Sequence, residues 1–184
     1  MKLIMENFRQ FLDEAAKNLS DLGEYKVFID SEDAAETISI GTDENETAVG
    51  YIQMEPLECS NDKVWAVSQV VTFTSGWGPL LYDLAMERAV MRGRQGLTSD
   101  KFHATSNAAL DVWKFYRDNR ADEFDIVDLK DLCPGETPTP RLASNPHLRK
   151  GDDYELLTKV FKIKRKHLLT SLNNSKKLVM RRHK

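Results

Sequence analysis

The sequence predicts an α+β domain, with a mixed, mainly antiparallel sheet flanked by helices and further helices at both ends. Three observations predict it. Short β-branched runs between residues 25 and 73 are separated by turns of hairpin length, which reads as an antiparallel meander. Two stretches with apolar residues at helical spacing follow, interleaved with shorter β runs. With 184 residues, 41% of them hydrophobic, the chain can bury one core and carry appendages.

Residues 3–18, LIMENFRQFLDEAAKN, place Leu3, Ile4, Phe8, Phe11, Leu12 and Ala15 on one helical face and predict an amphipathic helix that ends before the loop at Ser20 to Glu24. Strands are expected at 25–30, 36–41 and 46–54. The run 64–73, VWAVSQVVTF, is apolar enough to predict a central strand buried on both faces. Ser75-Gly76-Trp77-Gly78 then turns the chain into a helix that Pro79 opens and the glycines of RGRQG (92–96) close. A short strand is expected at 100–104, a helix from Ser106 or Asn107 as N-cap, and a strand at 123–129. Residues 133–147 hold four of the six prolines and exclude regular structure. A last helix is expected from Asp153 to Leu172. The chain thus divides into an N-terminal helix (1–20), a domain (21–132), a proline-rich linker (133–152) and a basic helical tail (153–184).

No window supplies the roughly 18 to 20 uncharged apolar residues that a membrane span needs, and the charged N-terminus lacks a signal-peptide core. A soluble, cytoplasmic protein is the expectation. Cys59 and Cys133 lie far apart with no C-x-x-C partner and are read as reduced residues. The four histidines are scattered, and no metal site is assigned. The net charge of −3 conceals an asymmetry: residues 156–184 hold ten Lys and Arg and no acid, leaving sixteen against twenty-nine acids before them. The basic stretch could follow nucleic-acid phosphates, fold back on the acidic body or stay solvated.

Glycines at 76 and 78 bare the backbone where a strand meets a helix, and a helix N-terminus offers free N–H groups and partial positive charge. Together they form a cradle suited to an anion, most often phosphate. This stretch resembles the acyl-CoA pyrophosphate loop of the GCN5-related N-acetyltransferase (GNAT) superfamily, Gln/Arg-x-x-Gly-x-Gly/Ala, with Gly76 and Gly78 at its last two fixed positions. The later block SNAALDVWKFYRDN is similar to the family's next motif, placing Asn107, Ala108, Ala109 and Tyr116 at its Asn, small pair and Tyr. The likeness covers roughly residues 25 to 130.

The resemblance implies a GNAT-like sheet and transfer of an acyl group, acetyl in the first instance, from acyl-CoA to an unknown amine acceptor. It implies pyrophosphate at Gly76, Trp77 and Gly78, the pantetheine arm along Val70, Val71 and Phe73, a cofactor contact at Asn107, and Tyr116 as proton donor to the departing thiolate. Phe73 stands where the family has Gln or Arg, Pro79 carries no N–H, and strand 64–73 offers no carboxylate as base. Glycines in a tight turn and a Tyr116 that only packs the helix on the sheet are the plainer alternatives, leaving a non-catalytic GNAT-like interaction module.

The N-terminus MKLIMENFRQFLDEAA also resembles the removable capsid-targeting peptides of large tailed bacteriophages, with Leu12-Asp13-Glu14-Ala15 fitting the prohead protease pattern. That likeness implies a mature chain starting at Ala15, a place in the virion head, and packaged DNA as a non-specific partner of residues 159–184. The alternative is an amphipathic helix that caps the domain.

Overall fold

The alternating apolar residues of the first half of the chain build a meander. The computed structural model describes residues 16–147, 150–165 and 167–182. In it β1 (Lys26–Glu32), β2 (Ala35–Gly41), β3 (Gly50–Pro56) and β4 (Val64–Thr72) pair antiparallel in succession, with Ile29 opposite Ile38 and Ile38 opposite Ile52. Helix α1 (Gly78–Met91) crosses over to β5 (Gly96–Thr98), which lies parallel to β4. Helix α2 (Asn107–Asn119) leads to β6 (Phe124–Asp128), and α3 (Asp152–Leu157), β7 (Lys159–Ile163), α4 (Leu168–Asn174) and β8 (Leu178–Arg182) complete the described chain. The result is one eight-stranded mixed sheet in the order β6-β7-β5-β4-β3-β2-β1-β8, flanked by helices. The α+β class read from the sequence is the class of the fold.

Helix α1 is buried almost all round, from Leu80 to Val90, because it packs on the sheet and is covered in turn by α4. Its two buried charges are compensated. Arg88 donates to Glu36 on β2 through Nε at 2.6 Å and Nη2 at 2.8 Å. The Glu87 carboxylate, fully buried, accepts the backbone N–H groups of His167, Leu168 and Leu169 at 3.1, 2.9 and 2.8 Å, at the start of α4. Helix α2 buries Leu110, Trp113 and Tyr116, and the Trp113 ring meets Phe161 of β7 at 5.0 Å between centroids.

Five expectations are corrected. The helix expected over 153–172 is instead α3, β7 and α4: KVFKI buries Val160, Phe161 and Ile163 and fills the slot between β5 and β6. The strand expected at 100–104 falls earlier, at Gly96–Thr98, and residues 100–104 form a loop. Gly96, read as a helix terminator, has φ +146°, and a Cβ there would lie 2.6 Å from the Phe161 carbonyl oxygen, so glycine lets β5 approach β7. Cys59 and Cys133, read as reduced, form a disulfide with Cα atoms 4.9 Å apart, because the turn before β4 returns beside the chain leaving β6. The fifth concerns the end of the expected first helix: residues 16–18 are not helical, and the Lys17 N–H donates to Gly76 O at 2.9 Å. The remainder of that helix and the Leu12–Ala15 pattern lie outside the described residues.

Contact with the acidic body is found along the basic stretch. Lys159 pairs with Asp128 at 2.7 Å, Lys164 with Asp125 at 3.6 Å, and Arg181 Nη1 with Glu46 at 2.6 Å. No described helix is long and apolar enough to cross a membrane.

Candidate functional site

The site begins with a parting of strands. β4 is nine residues long but pairs with β5 only from Val64 to Ala66, and among the described residues no other strand takes up that edge beyond Ala66. The backbone groups of Val67 to Thr72 on that side therefore face a gap. A cavity of about 570 Å³ fills it, within the range that holds small-molecule ligands. Opposite β4, the cavity wall is the loop after β5 and the first turn of α2.

Two helix N-termini open into this space. Gly78, the first residue of α1, lines the cavity, and a Cβ built on it would meet no atom within 4 Å, so hydrogen at that position leaves the approach free. Ser106 caps α2, its Oγ accepting the Ala109 N–H at 3.1 Å, and Ser106, Ala108 and Ala109 form the second opening. The small residues expose the helix's free amides and their partial positive charge to whatever the cavity holds.

The polar groups are unevenly placed. The register of β3 and β4 shifts between Gln53 and Met54, so Ser68 is the extra residue of a β-bulge. Its hydroxyl and that of Thr105 are buried, line the cavity and have no hydrogen-bond partner. Glu55 and Asp100 come from the end where β4 and β5 are still paired, and among the described residues no Lys or Arg lines the cavity.

Of the residues predicted from the sequence, Val70 and Gly78 line the cavity. Val71 alternates away from it along the strand, and Phe73, just past the end of β4, is 64% exposed to solvent. Gly76 forms the turn with φ +89°. Trp77 is buried, edge-on to Tyr25 at 6.0 Å, and anchors the turn rather than facing the gap. Asn107 is occupied by the proline-rich segment, its Oδ1 accepting from Ser144 Oγ at 2.7 Å. That segment also clamps the Thr105 backbone between Arg141 O and the Ala143 N–H, at 2.8 and 2.9 Å, so it braces the cavity wall.

Tyr116 lies outside the cavity lining. It is fully buried, with its hydroxyl 2.8 Å from Asp83 Oδ1 and 3.1 Å from Pro79 O. Burial, and then the Asp83 carboxylate, push its pKa well above that of an ordinary phenol. Arg120 completes the cluster, with Nη1 2.9 Å from both Asp83 oxygens, and stands over the Tyr116 ring at 5.1 Å. A phenol that holds its proton so firmly is a poor donor to a thiolate.

Sequence reasoning missed Ser68, Thr105, Glu55, Asp100 and His103. Ser68 depends on a bulge that exists only once β3 and β4 pair, and the others on which way a loop and a neighbouring strand face. Among the described residues no group of three or more His, Cys, Asp or Glu could hold a metal ion. No protein-family profile, no curated protein and no solved structure matches this chain.

Proposed function

We propose that the protein is an acyl-CoA-dependent N-acyltransferase, moving an acyl group, acetyl in the first instance, to an amine. The observation that carries the reading is the parting of β4 from β5. The free edge of Val67 to Thr72 offers backbone donors and acceptors at strand spacing, which suit the two amides of a pantetheine arm. Gly78 and the start of α2 supply amide dipoles for an anionic group and for the oxyanion that forms when an amine attacks a thioester. The carboxylates of Glu55 and Asp100, both in the cavity lining, attract a cationic amine acceptor.

Among the described residues the lining holds no Lys or Arg, and Tyr116 is turned toward Asp83, which favours a second reading, a GNAT-like interaction module without catalysis. Thermal-shift titration with acetyl-CoA and CoA separates the two. Ligand at about 100 times its dissociation constant adds roughly 2.7 kcal/mol, which in a chain of this size raises Tm by roughly 5 to 10 °C. A saturable rise is the expected result. No rise at millimolar ligand leaves the non-catalytic reading.

A further inference from the structure

We propose that His103 carries the proton in this reaction, held in orientation by Asp100. The inference rests on the acyl-transfer reading of the cavity. Both residues line the cavity, on the loop that leaves β5. Asp100 Oδ1 accepts the backbone N–H groups of Phe102 and His103 at 2.7 and 2.9 Å, so the loop itself fixes the carboxylate. The other oxygen, Oδ2, lies 3.5 Å from His103 Nδ1, and Asp100 is only 14% exposed while the imidazole is 74% exposed.

At 3.5 Å the pair is longer than a hydrogen bond, and the proposed role requires it to tighten to one when substrate is bound, as catalytic contacts do. With Nδ1–H directed at Asp100, the Nε2 lone pair becomes the free pole of the ring. The arrangement differs from that of the other ionisable groups here. Glu55, on β3, is the remaining carboxylate of the lining, and the Tyr82 phenol is held protonated by burial. Lys101, next in sequence, is turned to Leu157 O at 2.6 Å and Ser99 Oγ at 2.7 Å.

The acceptor enters as an ammonium and gives one proton to solvent. The nitrogen electron pair then forms the C–N bond at the thioester carbonyl carbon. Collapse of the tetrahedral adduct breaks the C–S bond, whose electron pair leaves with sulfur. His103 Nε2 takes the second nitrogen proton and delivers it to sulfur, giving the amide and the CoA thiol. This assigns to one imidazole both the base role that β4 lacks and the acid role that Tyr116 is badly placed to fill.

The test uses the full chain with saturating acetyl-CoA and three amines, n-butylamine, 1,4-diaminobutane and Nα-acetyl-lysine amide, following release of the CoA thiol. His103→Ala is expected to lower kcat by roughly 100-fold while leaving the acetyl-CoA melting rise unchanged, and added imidazole is expected to restore much of the loss. Asp100→Asn is expected to lower kcat by roughly 10-fold without a response to imidazole, as befits a positioning residue. Turnover by His103→Ala equal to that of the wild type, or a loss that imidazole does not rescue, overturns the role of His103. Wild-type protein that binds acetyl-CoA yet acylates none of the amines also overturns it while leaving the cofactor site. Wild-type protein with no acetyl-CoA melting rise overturns the acyl-transfer reading itself.

Discussion

Gly78 and Tyr116 are both singled out by the GNAT resemblance, yet they stand in opposite relations to the cavity. Gly78→Leu places a side chain into open space, so the fold should tolerate it while the cavity loses volume. The expected result is an unchanged Tm without ligand and a loss of at least roughly 10-fold in acetyl-CoA affinity by titration calorimetry. Tyr116→Phe removes a buried hydroxyl from Asp83, which keeps Arg120. It should cost about 1 to 2 kcal/mol in urea unfolding and leave kcat intact. Lys101 gives a pH signature. Burial pushes its ammonium down to about 7, with Asp100 acting in the opposite sense. The unfolded chain keeps that proton up to about pH 10, so it binds more protons than the native state in between, and stability should rise with pH from about 7 to about 10. Urea midpoints measured across that window should climb in the wild type and flatten in Lys101→Met.

The elements divide by how local their causes are. The meander β1–β4 and the helices α1 and α2 were legible because alternation, a Gly-Pro start and an N-cap serine act within a few residues. The end of the chain was not. KVFKI is as consistent with a basic helix as with a strand until Phe161 finds Trp113, and α4 starts where it does because Glu87, eighty residues earlier, supplies its cap. Helix α4 is too short to persist without that carboxylate. Glu87→Ala should therefore cost about 3 kcal/mol in urea unfolding, since three amide donors lose their acceptor at once, and Glu87→Gln should cost less. The same folding-back changes how DNA binding by the basic stretch should be tested. Removing residues 164–184 would remove β8 from the sheet, whereas charge reversal at the exposed Arg165, Lys176 and Arg182 keeps the fold.

At the scale of the molecule, the site was half legible. Gly78 announces itself by turn chemistry and Val70 follows only from the family resemblance, while Ser68, Asp100 and His103 acquire meaning only from register and loop direction. The disulfide was hidden for the same reason: its cysteines are 74 residues apart and meet only after β3, β4 and β6 are in place. By closing a loop of that length in the unfolded chain it should contribute about 4 kcal/mol, read as the difference in unfolding free energy between the oxidised protein and a Cys59→Ser, Cys133→Ser variant. The position of β7 bears on how the protein is made. A ribosome releases β5 and β6 long before Lys159–Ile163, yet those five residues are the partner that both strands require. Until they emerge, the nascent chain holds an open slot with two unpaired edges, the surface that chaperones recognise and that misassembly exploits. The emergence of Lys159–Ile163 is the event that shuts it.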